Sequence, residues 1–268
     1  DRSPSRGLGD VYKRQPNMLI EFSADNGASW STIATAPGNN QYYDMVVPNG
    51  ITTDALVRVS GEGETDTSDA TFEVIADSGE VYRIVILGSS TAAGTGPSDA
   101  NDAWVARYNT YLTEMDTRYD IINLAQGGFA TYNILPTGTS IPSGVNRTID
   151  INRNITKALS LNPTGIIINL PSNDAASGYP VADQLSNYTL IANAAASANA
   201  MLWVTTPQPR TFALGSTNLA IQLDMVDETY TMFGSNTIDF WTGFGNANNN
   251  DILPAYDSGD GVHMNGAA

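Results

Sequence analysis

The stretch DSGDGVHMNG near the end of the chain contains His263, the single histidine in 268 residues, with Asp260 three positions before it. Asp-x-x-His spacing lets a carboxylate reach the far ring nitrogen from one turn and hold an imidazole in the orientation a general base needs. A base of this kind needs a nucleophile, and with no cysteine in the chain a thiolate is excluded. Serine hydroxyls follow the run VYRIVILG in LGSSTAAGTG, and side-chain type alone does not choose between Ser89 and Ser90. Acyl transfer also needs donors aimed at a developing oxyanion. A glycine N–H, the nucleophile's own N–H and an asparagine amide can supply them, which makes Gly128 in AQGGFATYN and Asn173 in PSNDAASG the candidates.

These clusters must be positioned by the elements that precede them. VYRIVILG (81–88), DIINLA (120–125), GIIINLP (165–171), MLWVTTP (201–207) and TIDFWTG (237–243) read as buried strands. Between them, Trp104, Tyr108, Tyr111, Leu112 and Met115 recur at helical spacing, helices are expected near 150–160 and 182–199, and Leu219, Leu223, Val226, Tyr230 and Phe233 mark one more, capped by Gly234. Strands alternating with helices predict an α/β fold: a doubly wound, parallel five-stranded sheet in a flavodoxin-like three-layer α/β/α arrangement. Ligands bind outside the carboxyl ends of such strands, which is where the polar clusters fall.

Residues 16–77 read differently, as short strands with turns between them, and predict a small, partial β-sandwich module of the Ig or fibronectin type. Its Asn26-Gly27 is a hairpin signal. The segment SADNGASW resembles an Asp-box, read as a structural turn tied by Asp25 and its serines with Trp30 packed in the core. The first fifteen residues carry four of the 12 Lys and Arg residues and match neither pattern, so they read as a non-native leader. The domain boundary is expected at Asp77–Glu80, with a catalytic domain over 78–268.

Asp and Glu outnumber Lys and Arg by 28 to 12, for a formal net charge of −16. That sign argues against nucleic acid as a partner, and no apolar run is long enough for a spanning helix. One histidine and no cysteine leave no nitrogen and sulfur ligand set for zinc, so that only oxygen-ligand metals such as calcium stay open, and no metal site or cofactor is expected.

From residue 81 onward the chain resembles the SGNH (GDSL-type) hydrolase superfamily of esterases and lipases. Gly88-Ser89-Ser90, with Gly94 four residues on, stands where that family has its Gly-Asp-Ser block; NLAQGGFAT, PSND and DGVH match the next three blocks in order. The resemblance implies Ser90 as nucleophile, Asp260 and His263 as acid and base, and Ser90, Gly128 and Asn173 as oxyanion donors. Ser89 replaces the family's aspartate and Pro171 the glycine opening the third block. The resemblance implies a serine esterase, and the β-module and absence of a hydrophobic lid stretch suggest short-chain, acetyl esters on a carbohydrate. Tyr132, Ile134 and Leu135, in the long loop after Gly128, are the expected substrate contacts. A glycan-binding or surface protein on an inactive hydrolase fold, or a transferase or lipase using the same serine, are the rival readings. The low-lysine, acidic surface suits an exported, extracellular or periplasmic protein, with the N-terminal module as an attachment to a cell surface or polysaccharide. The chain stops five residues after His263, which reads as a shortened C-terminus.

Overall fold

A computed structural model describes residues 17–37, 43, 45–48, 50–75, 79–170 and 172–268. The expected leader, Asp77 and Ser78 of the expected linker, and Pro171 lie outside these. The chain divides into two compact units, Asp1–Gly79 and Glu80–Ala268.

In the first unit β1 (Asn17–Ser23), β2 (Ser31–Pro37), β3 (Thr52–Gly61) and β4 (Glu64–Thr67) pair antiparallel in the order β2-β1-β3-β4, and β5 (Phe72–Val74) also pairs with β3. β3 joins both groups of strands, pairing with β1 and β4 along its second half and with β5 near its start. The β1–β2 loop is tied by its own side chains. Asp25 accepts from the Ser29 N–H at 2.8 Å and from its hydroxyl at 2.6 Å, and Ser23 accepts from the Gly27 N–H at 2.8 Å. The Ser29 hydroxyl bond and then its backbone bond hold the Asp25 carboxyl down at about 2. Trp30 is not in the core: it is half-buried, with the Arg58 guanidinium 4.1 Å from its ring centre.

The second unit is built on β6 (Tyr82–Gly88), β7 (Tyr119–Asn123), β8 (Gly165–Asn169), β9 (Met201–Thr205) and β10 (Thr237–Ile238), all parallel, in the order β10-β9-β8-β6-β7. The crossovers carry α1 (Trp104–Met115), α2 (Ile155–Leu159), α3 (Asn173–Ala176), α4 (Val181–Ser197) and α5 (Thr217–Phe233). This is the expected doubly wound α/β fold. Period-two alternation sorts the strand residues: Ile84 and Ile86 pack with Val105 on the α1 side, while Val85, Leu87, Ile166 and Ile168 pack with α2, α4 and α5. Fully burying such side chains stabilises the unit by roughly 1.5–3 kcal/mol each.

Two elements differ from expectation. The last strand pairs over only two residues, because Asp239 Oδ1 accepts from the N–H groups of Trp241 and Thr242 and turns the chain away. In α5 the buried residues are Leu219, Ile221, Gln222, Met225 and Thr229 rather than Leu223, Val226 and Tyr230. Gln222 is there because its Nε2 reaches the Arg210 carbonyl in the loop after β9, at 3.3 Å.

Candidate active site

The chain leaves β6 for α1 and reaches β8 after β7, so the strand order reverses between β6 and β8 and opens a crevice at their carboxyl ends. Ser90 follows β6, Gly128 follows β7 and Asn173 opens α3 just after β8. Gly88 allows the chain to turn there. A Cβ at that position would lie 2.5 Å from the Asn169 carbonyl oxygen and 2.8 Å from Ala92 Cβ.

Of the two serines, the structure brings only Ser90 to the imidazole. Its Oγ is 2.8 Å from His263 Nε2, whereas Ser89 is fully buried and its hydroxyl has no partner. His263 Nδ1 lies 2.6 Å from Asp260 Oδ2. Asp260 Oδ1 accepts from the N–H groups of Val262 and His263, each at 2.8 Å. Burial works to raise the Asp260 pKa, but the bonds from the His263 ring and backbone, then Val262, outweigh it and hold the carboxyl far below its usual range. A permanent carboxylate on Nδ1 leaves Nε2 to face the serine.

The segment carrying this pair has little regular structure and is docked by single bonds. Gln208 Nε2 donates to the Val262 carbonyl at 2.7 Å, the Thr211 N–H to the Gly261 carbonyl at 2.8 Å, and an isolated bridge joins Asp257 to Met264. Both docking residues belong to the loop after β9.

Gly128 has φ 81°, in the left-handed region that suits glycine, and its N–H, like that of Ser90, has no acceptor among the described residues. The Gly128 carbonyl is held by Arg147 Nη1 at 2.7 Å. Asn173 is fixed at both ends of its amide: Nδ2 donates to the Phe129 carbonyl at 2.8 Å, and Oδ1 accepts from Arg210 Nη1 at 3.4 Å. One Nδ2 hydrogen remains for a ligand. The next residue, Asp174, is a fully buried carboxylate bonded by the Thr131 hydroxyl at 2.7 Å and by the Thr131 N–H. It thereby ties the loop after β7 to α3. Burial pushes its pKa up to about 6, against the downward pull of the Thr131 bonds and of Arg147.

The expected substrate contacts need correcting. Tyr132, Ile134 and Leu135 are 2%, 0% and 1% exposed and belong to the main core, not to the site. A short 3-10 turn, Thr131–Ile134, folds the loop back under the sheet edge, where Tyr132 packs edge-on against Tyr179 and donates to Asp183. The polar residues around them in sequence conceal that inward turn. Sequence reasoning missed Arg147, Arg210, Gln208 and Asp174. Arg210 carried a usable signal, since TTPQPR follows the fourth strand at the same edge as the other clusters. Among the described residues no cluster of His, Asp and Glu could hold a metal ion.

Among curated proteins none matches the sequence. Among solved structures the second unit is similar to the psychrotrophic esterase EstA of a Pseudoalteromonas species, at 19% identity over 70% of this chain and 90% of that one, with a TM-score of 0.50. It is also similar to TesA, at 19% identity over 69% of this chain and 91% of that one, with a TM-score of 0.51. At such identities the likeness is one of fold. Residues 86–268, most of the chain, match the model of the GDSL-like lipase/acylhydrolase family, and the chain therefore belongs to that family.

Proposed function

We propose that the protein is a serine esterase that cleaves carboxylic esters by two-step acyl transfer, with short-chain acyl groups on a carbohydrate as its substrates. The observation that carries this reading is the continuous line from Ser90 Oγ through His263 to Asp260, at 2.8 and 2.6 Å. In the first step Ser90 Oγ attacks the ester carbonyl and its proton passes to His263 Nε2. The tetrahedral oxyanion takes hydrogen bonds from the N–H groups of Ser90 and Gly128 and from Asn173 Nδ2. His263 then protonates the leaving alcohol, and water, deprotonated by the same nitrogen, releases the acid. Asp260 stays ionised throughout and supports the imidazolium. The polar groups that flank the oxyanion donors, Arg147 and Arg210, favour a hydrophilic substrate over a long acyl chain.

EstA is described as inhibited by monoethylphosphonate, and a fluorophosphonate is the corresponding test here. One adduct per chain is expected, mapped by mass spectrometry to Ser90 and absent in Ser90→Ala. Loss of p-nitrophenyl acetate hydrolysis is expected in both Ser90→Ala and His263→Ala. Normal turnover in His263→Ala would overturn the mechanism, because the chain has no other imidazole.

A further inference from the structure

Arg210 is half-buried in the loop after β9, and its guanidinium makes one long hydrogen bond, to Asn173 Oδ1 at 3.4 Å, with the Phe212 ring centre 5.3 Å away. Among the described residues its side chain has no other hydrogen-bond acceptor and no ion-pair partner. The other arginines of this unit are better supplied. Arg83, Arg107 and Arg118 each sit on a carboxylate, and Arg147 donates to the Gly128 carbonyl, Ser177 and Tyr179. Arg147 and Arg153 are also half-buried without a carboxylate, but each has two or more acceptors, so among the described residues of this unit Arg210 is the arginine with the fewest. Asp260 is the negative charge acting on it, and the oxygens of Asp260 are already taken by Ser258, Val262 and the backbone and ring of His263. Withdrawing a guanidinium from water is unfavourable unless an anion or several acceptors replace the lost solvation. Its planar fork fits a carboxylate with two parallel bonds.

We propose that Arg210 binds a carboxylate on the substrate, so that the preferred esters are acylated acidic sugars rather than neutral ones. The proposal rests on the esterase reading above and names its substrate class. The carboxylate pairs with Arg210 without any bond being made or broken. Because Arg210 already touches the amide that would hold the oxyanion, an anion on its free edge lies within a sugar ring of the scissile carbonyl. The net charge of −16 does not oppose this at close range, since charges beyond a screening length of about 8–10 Å act weakly at ordinary salt.

The test compares two substrates that differ in one group, the mono-O-acetylated methyl glycosides of glucuronic acid and glucose, with acetate release as the readout. The wild type is expected to favour the glucuronide in kcat/KM by roughly tenfold or more, the usual strength of a charged hydrogen-bonded pair. Arg210→Gln should reduce that ratio by a similar factor, chiefly through the KM of the glucuronide, and Arg210→Lys should retain part of it. Free glucuronate should compete with p-nitrophenyl acetate in the wild type and more weakly in Arg210→Gln, whose folding is checked by its melting curve. An equal ratio in wild type and Arg210→Gln overturns the proposal. That includes a common fall in kcat for both glycosides, which would make Arg210 only a positioning residue for Asn173. A wild type that cleaves p-nitrophenyl acetate without preferring the glucuronide overturns this proposal alone, whereas one that cleaves none of the three esters overturns the esterase reading.

Discussion

Asn173 concentrates what single residues do at this site. Its amide is gripped on both sides, so the hydrogen it offers is fixed in direction before any substrate arrives, and a preorganised donor is worth more in a transition state than a mobile one. Asn173→Ala is expected to lower kcat by about 10²- to 10³-fold with little change in KM, measured with p-nitrophenyl acetate. A loss confined to KM would mean that the amide binds the ground state instead. At this scale the sequence was informative where chemistry restricts residue type: one histidine, one carboxylate at the right spacing and a carboxamide after a strand. Residue type could not choose between Ser89 and Ser90, because both are hydroxyls on one turn; the family resemblance pointed to Ser90, and the backbone path turns that serine to the imidazole. Arg210 escaped notice for the opposite reason. Its place after the fourth strand was legible in TTPQPR, but the scarcity of its partners cannot be read from a string of letters.

Strands and helices were legible wherever burial is two-sided or periodic. β6 and β8 are runs of aliphatic residues because both of their faces are covered. The misreadings came where a polar group satisfies a fold-level need inside the molecule. Gln222 replaces an apolar residue on α5 to hold the Arg210 carbonyl, and Thr131 sits fully buried between the loop after β7 and α3, bonded to both Asp174 and Asn187. Thr131→Val would leave the Asn187 amide without that acceptor and Asp174 with only the backbone N–H of residue 131, and is expected to destabilise the unit by about 1–3 kcal/mol in urea denaturation. The same junction predicts a pH dependence. With its pKa raised to about 6, Asp174 keeps its proton in the folded chain over a range where the unfolded chain has lost it. Its contribution therefore favours folding at low pH and is lost as pH rises from about 4 to about 6. The total is on the order of 3 kcal/mol, and Asp174→Asn should remove that part of the slope.

At the scale of the whole molecule, the residues of the candidate site and the bonds described for it lie within Glu80–Ala268. A chain of residues 79–268 is accordingly expected to cleave p-nitrophenyl acetate with the kcat/KM of the full chain, while a large loss would show that the first unit takes part in the chemistry. The two bonds of the Ser90, His263 and Asp260 line are held by very different lengths of chain. The histidine and its carboxylate share one short turn, but the serine meets the histidine across 173 positions, through a segment docked by Gln208 and Thr211. A segment of little regular structure held by few bonds opens before a packed sheet does, so mild heat or denaturant would release it while its Asp–His pair stays assembled. The specific activity of a solution would then be a census, counting the molecules in which the segment that carries His263 is docked at that moment rather than the molecules that are folded.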